Sequence, residues 1–267
     1  MNNQGNYGKK WTRDETILAL SFYYEMPYGQ ISSSNKYLRE MAELMQRSPS
    51  SLAMKMVNLA ALDEKHLSRG VTSLPHGSKM DKEVWNEFKE NYQFLVLERE
   101  RILANYNHFE SETPSDYETL PDTPDEERYT PTERTILVRK GQNFFRKAVL
   151  SAYNKQCCMT GIAIPELLQA CHIMPWSKCT TINARLNPSN GLCLNYLSHK
   201  AFDLGYISIH KTQKTIMISN SLKEHTRLDE TTKHWLIKLD GQSIILPERN
   251  TPNTLFLEYH NDCIFQQ

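Results

Sequence analysis

The sequence predicts an α+β protein in two parts: a helical N-terminal domain (1–107) and a C-terminal domain (134–267) of short strands and helices, joined by a linker at 108–133. Three observations carry this. Up to Asn105 apolar residues recur at three- and four-residue spacing, the period of a helix. Between His108 and Arg134 the chain sets Pro114, Pro121, Pro124 and Pro131 among acids and hydroxyls, with almost no aliphatic side chains to bury, the composition of a linker. Beyond it, Leu167–Ile173 is an apolar run of strand length that ends at a Pro175–Trp176 break, as a short buried strand would.

The helical part divides into short units. Thr12 and Glu15 have capping-box spacing ahead of Ile17, Leu18, Leu20 and Tyr23, and Pro27 with Gly29 ends that helix. Asn35 can cap a second helix carrying Leu38, Met41, Ala42 and Met45 on one face. The turn Arg47-Ser48-Pro49-Ser50 starts a third, in which Leu52, Met56 and Leu59 point inward and Ser50, Ser51, Lys55 and Asn58 fall on the outer face. This tri-helical outline, with Trp11, Glu15 and the run RSPSSLAMK, resembles helix-turn-helix and Myb-like units. The resemblance implies DNA contacts from Lys55 and Asn58. The stretch from Asp81 to about Asn105 is amphipathic and reads as core or a dimer seam.

Composition bounds the class. With 267 residues, 39% hydrophobic and 23% charged, the chain is an ordinary globular protein rather than a disordered one. No apolar run is long enough to span a bilayer, and the N-terminus lacks a signal-peptide core, so a cytoplasmic protein without a membrane partner is expected. The six cysteines form no CxxC pair, which supports neither a disulfide framework nor a zinc knuckle. The formal net charge is zero, but it is segregated: residues 1–107 carry net +1, residues 108–135 net −7 and residues 136–267 net +6. The basic C-terminal half is therefore where a polyanion should bind.

The same half carries the chemistry. Gln142–Tyr153 reads as an amphipathic helix, and the apolar strand that follows delivers His172 at its end. A loop through Asn187, Pro188, Ser189, Asn190 and Gly191 leads to a helix in which His199 and Asp203, four residues apart, share one face. A histidine at a rigid strand end can take a proton from water at neutral pH. An imidazole and a carboxylate on one helical face can hold a divalent ion and leave positions open for phosphate oxygens. Singly, each residue has an ordinary structural explanation; in this order they suit phosphodiester hydrolysis.

The motifs Phe144-Phe145-Arg146, Cys158-Met159-Thr160-Gly161, Leu168 to Trp176, Asn187 to Leu194 and Ala201 to Gly205 together resemble the HNH endonucleases. They are most similar to a branch of HNH restriction endonucleases built on a ββα-metal finger. The resemblance covers about half the chain. It implies that His172 is the general base, that Asn190 holds the loop that orients it, and that His199 is a metal ligand with Asp203 in the place of a second one. Cys171 is the departure, since some relatives have Asp or His there as a further ligand. A thiolate would favour zinc, whereas a buried Cys171 outside the metal shell, with water completing it, is the preferred reading.

The expected cofactor is one divalent ion, Mg²⁺ first, with Mn²⁺, Ni²⁺ or Zn²⁺ as alternatives. Arg146, Lys178, Arg185 and Lys200 lie near the site in sequence and are candidates for DNA phosphate contacts. The resemblance implies a restriction or defence role. One finger cuts one strand, so a double-strand break needs a homodimer or two visits. The rival expectations are a nuclease effector or toxin held by a partner, and a degenerate DNA-binding module.

Overall fold

A computed structural model describes residue 6 and residues 8–67, 77–106, 129–225 and 229–266. Most of the acidic stretch expected to be a linker lies outside the described residues.

The N-terminal region is helical: α1 (Arg13–Glu25), α2 (Lys36–Leu44), α3 (Pro49–Ala60), the single turn α4 (Glu64–Leu67), α5 (Lys79–Phe88) and α6 (Tyr92–Ala104). The expected starts are present. Thr12 and Glu15 form a capping box on α1, and Asn35 and Ser48 accept hydrogen bonds from Leu38 N and Ser51 N to start α2 and α3. The amphipathic stretch 81–105 is two helices. The second capping box, Ser78 with Asp81, starts α5, and the chain breaks between Phe88 and Tyr92.

The outer face assigned to α3 holds only in part: Ser50 is exposed and Ser51 half-exposed, but Lys55 turns inward. Lys55 is buried, and its Nζ lies 2.6 Å from Asp81 Oδ1 and 4.9 Å from the Trp11 ring centre. Asn58 is only half-exposed. The physical reason is α5, which packs on α3 and turns its capping carboxylate inward. Trp11 also has the Arg47 guanidinium over it at 4.9 Å, and Arg47 pairs with Glu15 at 2.7 Å. Trp11, Glu15, Arg47 and Lys55, four of the residues that carry the Myb-like resemblance, thus belong to an internal network.

α7 (Pro131–Ala152) begins eleven residues before the helix expected from the sequence, because Thr130, Pro131 and Glu133 make a capping box with proline in the first turn. It joins two hydrophobic clusters. Leu137, Phe144 and Ala148 pack with α1–α6, while Phe145, Val149 and Ala152 pack into the C-terminal part. Arg249 reinforces the joint: it is buried and donates to the carbonyls of Tyr24 (3.0 Å) and Met26 (2.7 Å) and to Ser151 Oγ.

The C-terminal part holds β1 (Leu168–His172), α8 (Ile182–Leu186), β2 (Gly191–Asn195) and α9 (Tyr196–Asp203), followed by the hairpin β3 (Ile207–Ile209) and β4 (Ile216–Ile218). The short helices α10 (Asn220–Lys223) and α11 (Glu230–Trp235) come next, and α12 (Thr254–Cys263) packs back on β3. β1 and β2 are antiparallel, with His172 opposite Gly191, and α9 follows β2 directly, a ββα arrangement. Among the described residues no helix is long and apolar enough to cross a membrane. The six cysteines are free; five are buried and Cys263 is exposed.

Candidate active site

His172 closes β1, and its ring is fixed on three sides. It stacks on Phe145 with centroids 3.9 Å apart at 6°, meets Trp176 edge-on at 5.5 Å, and places Nε2 2.9 Å from the Arg185 carbonyl. A carbonyl only accepts, so this contact assigns the proton to Nε2 and leaves the Nδ1 lone pair as the basic site. Burial disfavours the charged imidazolium and lowers the pKa to about 4, against the opposing pull of the Arg185 carbonyl. His172 is therefore neutral at physiological pH.

Asn190 is fully buried and braces this arrangement. Its Oδ1 accepts from Met174 N at 2.8 Å, and its Nδ2 donates to the carbonyls of Met174 (3.1 Å) and Ala184 (3.3 Å). It therefore ties the exit of β1 to α8, one residue from the carbonyl that holds His172. The expected Asn-Gly turn is something else. Asn190 ends a short 3-10 turn at Pro188–Asn190, and Gly191 is extended, with φ −125°. Glycine is needed there for space, since a Cβ would stand 2.3 Å from Val149 Cγ2.

The expected metal ligands come together. Among the described residues the donor atoms of Cys171, His199 and Asp203 all lie within 4.8 Å of one another. His199 Nε2 is 3.3 Å from Asp203 Oδ2, and the Cys171 thiol donates to Asp203 Oδ1 at 3.7 Å. Imidazole, carboxylate and thiol are all recognised ligands of divalent ions, so the donor set fits such a group. Cys171 is buried, as expected, yet its sulfur faces the other two donors rather than the core alone. Burial and the neighbouring Asp203 carboxylate raise its pKa well above the usual thiol value, so without an ion it is a protonated donor. Gly205, just beyond Asp203, has φ +73°, and a Cβ there would stand 2.1 Å from the Ile264 carbonyl, which lets α12 close over the end of α9.

The candidate phosphate contacts separate into two groups. Lys178 and Lys200 are exposed. Arg185 is not available: it is 1% exposed, with its guanidinium 5.2 Å from the Trp176 ring centre. Its position in α8 turns the side chain under the loop while its carbonyl faces His172. Arg146 is half-buried and donates to Gln169 Oε1 and the Leu168 carbonyl, both at 3.0 Å, which fixes the start of β1. No sequence signal marks the Ala184 and Arg185 carbonyls as the groups that hold Asn190 and His172, because any residue supplies a carbonyl.

A strand pair and helix thus bring an oriented histidine next in sequence to a member of a three-donor cluster, an arrangement with the groups that metal-assisted hydrolysis needs. Residues 157–210 match the family model for HNH endonuclease, which places an HNH nuclease domain over β1, β2, α9 and β3. HNH nucleases generally use a divalent metal ion. No curated protein matches the chain.

Proposed function

We propose that this protein is a metal-dependent DNA endonuclease that serves in restriction or defence. The observation that carries the reading is His172, fixed through Nε2 with Nδ1 free as the base, directly after a residue of the donor cluster. His199 and Asp203 would hold the ion, with the Cys171 sulfur positioned as a third ligand. When bound, a divalent ion supplies a counter-charge for the phosphate and the leaving oxygen. His172 takes the proton of the attacking water at Nδ1. The stack on Phe145 and the Arg185 carbonyl keep the ring from turning away, and the imidazolium formed is stabilised by the same carbonyl. Asn190 holds that carbonyl's segment against the end of β1. Lys178 and Lys200 contact phosphates of the bound duplex. The motif run from Phe144 to Gly205 supports the restriction role.

The test is incubation of supercoiled plasmid and modified phage DNA with wild type and His172→Ala across Mg²⁺, Mn²⁺, Ni²⁺ and Zn²⁺. Cutting by wild type alone is expected, and a Cys171→Ser variant that shifts the metal preference away from Zn²⁺ places the thiol in the shell. Equal cutting by wild type and His172→Ala overturns the mechanism.

A further inference from the structure

A second feature lies on the other side of the segment that braces His172. A cleft of about 470 Å³ opens between the helical region and residues 183–189. Its floor carries Tyr24, Trp85 and Tyr92, with Tyr24 and Trp85 roughly parallel at 16°. Asp63, Glu64 and Glu90 line it together with Lys89, so the lining is net acidic. Among the described residues one polar group in it has no partner: Asn250 is 8% exposed and its Nδ2 finds no acceptor, while its Oδ1 accepts weakly from the Tyr92 hydroxyl at 3.4 Å. Asn250 has φ 53°, in the left-handed region that asparagine accepts more readily than most residues. A buried amide N–H left unmade is costly, and such groups in native structures commonly meet a ligand or water.

The chemistry narrows the occupant. An acidic lining repels phosphate and favours a neutral group that offers N–H donors. The Asn250 N–H asks for an acceptor, and the aromatic floor suits a flat ring. A nucleobase with an exocyclic amino group beside a ring nitrogen or carbonyl, as in cytosine or adenine, presents this combination on one edge. We propose that the cleft binds such an amino-bearing nucleobase, with Asn250 Nδ2 donating to its ring nitrogen or carbonyl and the acidic lining receiving its amino group.

The walls connect the cleft to the chemistry. The Asn183 side chain accepts from Tyr92 N at 2.8 Å and donates to the Glu90 carbonyl at 2.6 Å, which pins α8 to the helical region. Two residues on, the Arg185 carbonyl holds His172, and Asn187 and Ser189 of the lining lead directly into Asn190. A base in the cleft is thus read by the segment that orients the general base. The inference rests on the nuclease reading for the presence of DNA; the base comes either from the duplex, by extrusion of one nucleotide, or from a free nucleoside.

The test is binding, measured by fluorescence anisotropy in EDTA so that no cleavage occurs. Duplexes carry one unpaired cytosine or adenine, or an abasic residue at the same place. Wild type should bind the base-bearing bulges at least about ten-fold more tightly than the abasic one. The preference should vanish in Asn250→Asp, which replaces the donor, and in Asn250→Gly, which keeps the positive φ without strain. Glu90→Gln, at an exposed lining residue, should weaken the preference and serves if the Asn250 variants unfold. A parallel titration of wild type and Asn250→Gly with cytidine and adenosine separates the sources, because Asn250-dependent binding of the nucleoside without a bulge preference assigns the base to a free ligand. The proposal is overturned if neither arm discriminates, or if discrimination persists in all three variants. Failure of the hydrolytic mechanism would show instead in the plasmid assay, which this experiment does not use.

Discussion

The helices up to α6 and the ββα unit both bury polar and charged side chains, and they satisfy them in opposite ways. In the helical region the buried charges close on one another: Arg47 with Glu15, Lys55 with Asp81, Arg99 with Glu25. Each ion is neutralised by its partner, so none is left for a ligand. In the ββα unit the buried polar groups turn to the backbone. Asn190 holds Met174 and Ala184, and His172 holds Arg185, while the donors of Cys171, His199 and Asp203 converge on one another, with Asp203 paired to both of the others. A cation on a helix face therefore says little about nucleic acid until its neighbours are known, whereas three donors of metal-ligand type gathered within 4.8 Å mark a candidate site.

Removing the proposed base should have the largest effect. His172→Ala is expected to lower plasmid cleavage by about 10²–10⁴-fold with an unchanged circular dichroism spectrum; residual activity near wild type would move the chemistry elsewhere. Breaking a closed pair should act on stability instead. Asp81→Ala leaves Lys55 buried and unpaired and also removes the capping box of α5, so a loss of about 3–5 kcal/mol is expected in urea melts. A loss below about 1 kcal/mol would show that Lys55 reaches solvent at little cost and could serve as a DNA contact after all.

A third prediction concerns pH. His260 is 1% exposed, stacked on Phe202 at 3.7 Å, with Nδ1 2.8 Å from Ser208 Oγ and Nε2 3.1 Å from the Phe202 carbonyl. Burial lowers its pKa to about 4. The unfolded chain binds this proton more readily than the folded one, so the contribution is full above pH 6.5 and is lost as the pH falls toward 4. The expected loss is roughly 3 kcal/mol. His260→Gln should flatten that part of the stability profile, and an unchanged slope would assign it to other groups. The smallest effect is expected from Lys178→Ala and Lys200→Ala. Each should weaken duplex binding a few-fold and reduce the salt dependence by about one ion, and an unaltered slope would remove them from the phosphate path.

The ββα site was legible because its parts are local. The strand ending at His172, the loop to Asn190 and the spacing of His199 and Asp203 are short-range patterns, and the structure places them in β1, the 3-10 turn and α9. The capping boxes of α1 and α7 depend on residues three apart, although Pro131, inside the expected linker, stands in the first turn of α7. Lys55 and Arg185 were misplaced because their burial depends on distant partners: Asp81 lies 26 residues from Lys55, and Trp176 covers Arg185 from another loop. The charge segregation directed attention to the half that holds the candidate site, but Arg185 and much of Arg146 are spent on packing rather than exposed to a polyanion.

The sequence by itself determined the order of the candidate residues, since a histidine at a strand end and two potential donors one helical turn apart are fixed by the chain's own periodicity. Tertiary structure decided what no local pattern encodes. It turned Lys55 inward, brought the Cys171 sulfur to the ligand cluster, joined the two halves through α7 and Arg249, and formed the cleft at their junction. These depend on the free energy of burying surfaces far apart in sequence, and a charge becomes a ligand, a salt bridge or a solvated group only once that burial is complete.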